Sequence, residues 1–457
     1  MAIMDNSQIK LDEEKIPKLL LSFAIPAMVG MIAGAIYNIV DRIFVGRFVG
    51  ANGLAAITIC FPTMLLMFAL SLLISVGGSS RVAILRGAKK HRPAEQVLAH
   101  AFMMLTLVGC VGVFLALSGG IDYLLKLSGA SDDVIPQARN YLRIILIGGP
   151  FALVGIGMNS LVRACGSPRY AMATQVTGAL TNVVLDAFFI AHLGMGVEGA
   201  AWGTILAQFV STCMGIGYFF SKLTPLRIRL HFILRPRLKV VKRIMAVGMA
   251  PFFVELSFVL YMTIMNRTIH QYGGDIGLSA VGIFFSIDSL LFLPSLAIGE
   301  AAQPIIGYNY GAGKPERVVA TIKFAIIGVT CFYICSFLLA EIFAPQLVML
   351  FNRDPELLSI AVPGMRIGYC AIVFIGLPII TNAALQGLGK ARASLAISFV
   401  RHVFFMFIPI LILPRYFGIW GVWMSFPTGD FFGFILGLFF LRWLLKWLRS
   451  PQALIVE

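Results

Sequence analysis

The sequence predicts an all-α integral membrane protein. Twelve transmembrane helices form two pseudo-symmetric six-helix lobes, a parallel repeat around a central cleft. Three observations lead there. Hydrophobic residues make up 59% of 457, charged residues 12%, and the mean hydropathy is +0.90, whereas a soluble chain carries about 25% charged residues. The apolar runs are long and contiguous, as membrane helices require, while barrel strands would alternate over about 10 residues. The two halves of the chain also share residues at a steady offset.

Taken in order, residues 1–18 (MAIMDNSQIKLDEEKIPK) are polar, show no cleavage pattern and read as a cytoplasmic segment. Six apolar segments follow near 19–45, 53–83, 95–118, 134–161, 168–193 and 199–220. A basic linker at 221–242 precedes six more, near 243–266, 277–307, 319–344, 357–385, 393–414 and 419–447, and a tail at 448–457. The N-lobe is thus 19–220 and the C-lobe 243–447. Seven cysteines lie mostly inside apolar segments without metal-ligand spacing, so they read as small hydrophobes.

A formal charge of +15 raises the question of nucleic acid, and charge placement answers it. Of the 36 Lys and Arg, 25 fall in loops on one side and 9 on the other, with Arg81 and Arg401 inside spans. The positive-inside rule then puts both termini and the linker in the cytoplasm. The charge is membrane topology, and a nucleic-acid partner drops out.

The halves match as follows. PAMVGMIAGAIYNIVDR (26–42) and PFFVELSFVLYMTIMNR (251–267) have equal length, begin with Pro and end in Asp-Arg or Asn-Arg. YLRIILIGGPFALVGIGMNSLVRACG (141–166) aligns without gaps to GMRIGYCAIVFIGLPIITNAALQGLG (364–389). The offset stays between 222 and 225 over most of the chain. Six spans per half is an even number, so both halves enter the membrane the same way. Their axis lies along the membrane normal, as in some secondary transporters.

The runs IYNIVDRIFVGRFVGANGLAA (36–56) and GEAAQPIIGYNYGAGK (299–314), with this layout, resemble the multidrug and toxic compound extrusion (MATE) transporters. The likeness is strongest to the bacterial MepA-like and DinF-like branch. The resemblance implies export of organic, mostly cationic lipophilic compounds by antiport with H+ or Na+, without a cofactor. It also implies a monomer among membrane lipids in the bacterial cytoplasmic membrane. In DinF-like members an aspartate of the first span and an Asn/Asp pair of the fifth form a proton or ion site, with a threonine of the sixth nearby. The matching positions are Asp41, Asn182, Asp186 and Thr204, and Tyr141 matches a tyrosine of the same cavity. Another branch pairs a seventh-span glutamate with a tenth-span aspartate. Glu255 matches the first, but the tenth span has no acid beyond its start, which puts a C-lobe sodium site in doubt.

The residues themselves allow a test. Asn182 and Asp186 are one turn apart and share a helical face. A carboxylate at mid-membrane costs roughly 2.5–3.5 kcal/mol on insertion scales, so such residues are functional candidates. At 1.5 Å per residue, Asp186 lies about 27 Å along its helix from Pro168. Asp41 reaches a similar depth, and Tyr37 is one turn below it on the same face. Two nearby carboxylates cannot both ionise cheaply in a low dielectric. Taking up a proton would release a cationic drug and bias the first helix, where Pro26 removes a backbone hydrogen bond and offers a bend. The alternative for Asp41 is an interfacial pair with Arg42. For Asp186 it is a satisfied interhelical hydrogen bond. The repeat counterparts are Asn266 and Pro409, so the acids belong to one half only.

Glu255 and Asp288 divide evenly between a cavity role and structural pairing. Glu300 reads as a gate or structural residue, and Arg401 and Asp430 as charge partners in the C-lobe. Asn159 and Asn382, repeat equivalents, read as structural. Competing functions are export of one endogenous metabolite or a lipid-linked precursor, a lipid-modifying membrane enzyme, and a gated channel. Six scattered histidines without an HExxH or paired-acid motif speak against the enzyme. Nothing resembles a filter ring.

Overall fold

The computed structural model describes residues 11, 13–128 and 134–450. Most of the expected N-terminal segment and of the C-terminal tail lies outside the described residues. Those described are helical, with no strand among them.

Ten helices are long and apolar enough to cross a membrane. The pair Ile135–Ile147 and Gly149–Ala164, bent by 52° at one break, makes an eleventh span. Leu238–Gly311 has 74 residues and leaves helical geometry at Gly274. At 1.5 Å per residue it would be about 111 Å long, several bilayer cores, so it is two spans. That gives twelve among the described residues. The first five are Ile16–Phe48, Ala51–Gly87, His91–Leu117, the bent pair, and Pro168–Asp186 continued by a π-helical segment Ala187–His192. Gly196–Phe220 is the sixth. Beyond the linker the seventh and eighth flank Gly274, and Pro315–Met349 is the ninth. The tenth runs from Pro355 to Gly387 with an interruption at 370–375, and the eleventh covers 391–417 around a π-helical segment Arg401–Phe407. Ile419–Leu448 is the twelfth.

Proline opens several of these helices, at Pro168, Pro315 and Pro355, where its missing N–H costs nothing. The turns repeat with the sequence. Backbone φ is positive at 50 and 274, 89 and 313, 166 and 389, and 194 and 418. Each pair is separated by 223 or 224 residues. Equivalent turns in the two halves share one backbone solution, so the repeat is one of conformation as well as composition.

Contacts gather the chain into two compact units. One contains Ile25–Phe252, the other Lys15–Ala24 with Phe253 onward. The change falls beside Pro26 in the first span and beside its repeat equivalent Pro251 in the seventh.

Within the first unit, helices approach through small residues, the usual device where lipid gives no hydrophobic drive between helices. A Cβ on Gly77 would lie 1.9 Å from the Ile244 carbonyl oxygen, and one on Gly248 1.7 Å from that of Leu73. The start of the seventh span therefore packs backbone to backbone on the second. Two apolar cores follow. One, nearer the linker, contains Ile74, Leu98, Leu105, Met158, Leu161, Phe219 and Ile244. The other, at the opposite end, contains Val45, Cys60, Ala138, Tyr141, Leu142 and Ile190.

The basic linker is strapped to the third span. Arg229 Nε donates to Glu95 Oε2 at 2.5 Å, and the Arg227 backbone N–H donates to Glu95 Oε1 at 3.2 Å. The Arg237 N–H donates to His100 Nε2 at 2.8 Å, while His100 Nδ1 faces the Gln96 carbonyl at 2.7 Å. Glu95 and His100 are both buried. Three linker arginines thus take part in the strap, Arg229 through its side chain and Arg227 and Arg237 through their backbone N–H groups.

Asn159 and Asn382 make equivalent staples. Asn159 Nδ2 donates to the Ala171 carbonyl at 2.7 Å and Thr174 Oγ1 at 2.9 Å. Asn382 Nδ2 donates to Ser398 Oγ at 3.1 Å and its Oδ1 accepts from Ser394 Oγ at 2.7 Å. Each ties the fourth span of its half to the fifth.

Candidate acidic site in the first unit

Asp186 closes the regular part of the fifth span, where the chain passes into π-helical winding. Such bulges occur often at functional sites because they re-aim side chains. Its side chain is wholly buried, at 0% exposure. Asn182, one turn earlier, donates from Nδ2 to Asp186 Oδ1 at 3.3 Å and approaches Thr204 Oγ1 at 3.5 Å. With the amide turned over, its nitrogen meets Asp186 Oδ2 at 3.1 Å and its oxygen accepts from the Thr204 backbone N–H at 3.3 Å. In either orientation the amide bridges the carboxylate to the sixth span. Three of the four expected ion-site residues are therefore joined by hydrogen bonds.

Asp41 completes the group. It is 8% exposed, while its neighbour Arg42 is exposed. One residue along a helix turns the side chain by about 100°, so Asp41 faces inward. Among the described residues Arg42 makes no ion pair within 4 Å of Asp41, though its charge acts on that carboxylate. Asp41 Oδ1 is buried without a hydrogen-bond partner, which is costly for a carboxylate unless a proton or cation serves it. The charges of Asp41 and Asp186 act on one another and on the hydroxyls of Tyr37 and Tyr141. Tyr141 is buried and Tyr37 half-buried.

One residue that the sequence reading missed shapes the site. A Cβ on Gly203 would stand 2.4 Å from Asp186 Oδ1. The glycine next to Thr204 is the floor on which the carboxylate rests. Only its place beside Thr204 in the sequence hinted at this. Gln175 was also missed. Its Oε1 occupies the position a Cβ on Gly30 would take, at 1.9 Å, so the fifth span keys into the first one turn beyond Pro26. The first span itself runs through Pro26 as a single helix.

The other expected residues lie elsewhere. Glu255, half-buried, belongs to the second unit and not to this cluster. There Arg401 Nη2 stands 3.9 Å from Asp430 Oδ1, and Asp288 acts electrostatically on Asp430. Nearby, Tyr333 donates to Ser295 Oγ at 2.8 Å.

Comparison with known proteins agrees with this architecture. The family model MatE matches residues 26–188 and 251–410, one segment in each half. The chain is 23% identical to the multidrug export protein MepA of Staphylococcus haemolyticus, over 98% of both chains. It is also 23% identical to MepA of Staphylococcus aureus, over 90% of this chain and 91% of that one. Among solved structures, it is similar to a Pyrococcus furiosus transporter of the MOP superfamily. That likeness has a TM-score of 0.90 and 26% identity, over 98% of this chain and 99% of the other. The reversed polarity of that protein's binding pocket is described as suggesting a different function. A multidrug resistance MATE transporter in an outward-facing conformation matches with a TM-score of 0.89 and 26% identity, over 97% and 99%. With twelve spans in two repeated halves and the family's signature in each, this chain belongs to the MatE family and is a membrane transporter, not an enzyme.

Proposed function

We propose that the protein is a secondary active multidrug exporter of organic, mostly cationic lipophilic compounds, driven by inward movement of H+ or Na+. The observation that carries this reading is the Asp41 carboxylate, buried with an unpartnered oxygen beside Asp186 and its Asn182–Thr204 bridge. A cation or proton entering there would satisfy the oxygen and relieve the repulsion between two acids. A cationic drug drawn to the charged pair would leave when the pair is neutralised. The lobes at 19–220 and 243–447 would expose the site alternately to the two sides. The protein would lie in the bacterial inner membrane with both termini cytoplasmic, and its relatives' names point to drugs as cargo. Antibiotic resistance is then an expected consequence of expression.

The test is transport in proteoliposomes. A fluorescent lipophilic cation is followed under an imposed pH or Na+ gradient in wild type and Asp186→Asn. Gradient-driven movement lost in the variant supports the reading, and the effective gradient names the coupling ion. Wild-type transport by Asp186→Asn would move the coupling site to the second unit.

A further inference from the structure

The end of the first unit opposite the linker carries a surface cavity of about 240 Å³. It is lined by Val49 at the end of the first span, Gln137 and Asn140 in the outer part of the fourth, and Glu198 in the first turn of the sixth. Two features make it more than a dent. Glu198 is held by Asn140, whose Nδ2 donates to Glu198 Oε1 at 2.7 Å, so the cavity has a fixed negative charge. Gln137 Oε1 is buried and has no hydrogen-bond partner. An anionic wall and an unserved acceptor oxygen suit a small cation, by charge and by lone pair.

Three of the helices that line the cavity also carry residues of the acidic site or its surroundings. Gln137 and Tyr141 are one turn apart on one face, about 6 Å in rise, and the charges of Asp41 and Asp186 act on Tyr141. Glu198 precedes Thr204 by six residues, about 9 Å along the sixth span. Val49, Val45 and Asp41 follow at intervals of four on the first span, so they share a face. Val45, Ala138 and Ile190, each within one or two turns of a cavity or site residue on its own helix, are buried in one apolar cluster, and Val197 of the same cluster lines the cavity. With Leu142 and Ile145 of the same cluster, these side chains form an apolar plug on the helices that carry both polar groups.

We propose that this cavity is the mouth by which a small monovalent cation, hydronium or Na+, reaches Asp41 and Asp186 from the face opposite the linker. Glu198 raises the local cation concentration, Gln137 Oε1 takes the arriving ion or its water, and the plug around Val45 separates mouth from site until the helices shift. The proposal rests on the assignment of the two aspartates as the coupling site.

The bland alternative is that Glu198 complements the N-terminus of its helix and staples the sixth span to the fourth. Glu198→Gln separates the two, because its amide oxygen still accepts from Asn140 while the charge is gone. Proteoliposomes with the linker inside would be studied for export of a fluorescent lipophilic cation. External pH would be varied without Na+, and NaCl would be exchanged for choline chloride at fixed pH, so the two arms tell hydronium from Na+. In the effective arm, Glu198→Gln and Gln137→Leu are expected to raise the half-saturating cation activity about 3- to 10-fold. Turnover should recover at saturating cation, and Glu198→Asp should restore the wild-type midpoint. The wild-type advantage over Glu198→Gln should shrink as ionic strength screens the charge. Unchanged midpoints in both variants, with Asp186→Asn still uncoupled, would overturn the mouth and leave the acid pair standing. An equal loss of turnover at every cation level would also overturn it, in favour of the staple. Wild-type coupling in Asp186→Asn would overturn the assignment beneath it.

Discussion

Gly203 faces Asp186 so closely that a methyl group on it would lie 2.4 Å from the carboxylate oxygen Oδ1. The sixth span has no side chain there because the acid of the fifth fills the space. Gly203→Ala should therefore destabilise the protein by about 1–3 kcal/mol through overpacking and lower transport by displacing the carboxylate. Adding Asp186→Ala should recover the stability and not the transport. Thermal unfolding of the four members of that double-mutant cycle checks the coupling. Independent, additive losses would show that the two groups do not meet.

Asn182 is the donor that holds Asp186 toward Thr204. Asn182→Leu keeps the volume and removes the bridge. A hydrogen bond to a charged group contributes about 1.5–3 kcal/mol, so the apparent affinity for the coupling ion should fall about tenfold or more. The measurement is the ion dependence of gradient-driven uptake. An ion dependence like that of wild type would mean that the bridge is packing only.

Asn159 and Asn382 occupy equivalent positions and make equivalent staples, one in each half. Changing either to Ala should lower stability by about 1–2 kcal/mol while transport per folded molecule persists. Asn159 is the more buried of the two, and it also accepts from Arg163. Its loss should be the larger. Melting temperatures in detergent, set beside uptake normalised to folded protein, separate these effects.

Glu95 and His100 hold the linker against the third span. Glu95→Ala removes the hydrogen bonds from Arg227 and Arg229, and His100→Ala the one from Arg237. Each should speed tryptic cleavage at Arg235 and Arg237, Glu95→Ala by about tenfold if opening precedes cutting. Because Arg229 is well exposed in its pair with Glu95, Arg229→Ala should act more weakly than Glu95→Ala. Equal cleavage rates in all variants would show that the strap does not hold.

Much of this was legible in one dimension. Span length and hydropathy are local properties, so the twelve crossings follow from the chain alone. The repeat offset read from the sequence accounts for the matching turns at 50 and 274 and at 166 and 389, because equivalent turn residues make equivalent backbones. The single helical turn between Asn182 and Asp186 already placed both on one face. What the sequence could not decide was which distant groups meet. Asp41 turning inward while Arg42 turns out, Gly203 beneath Asp186, Gln175 in the notch of Gly30 and Gln137 over Tyr141 all depend on how helices pack. The same holds for Glu95 and His100, whose linker partners lie 132 to 137 residues away. Hydropathy sets which segments enter the membrane. The close approach of those segments sets which polar atoms find a partner and which, like Asp41 Oδ1, do not.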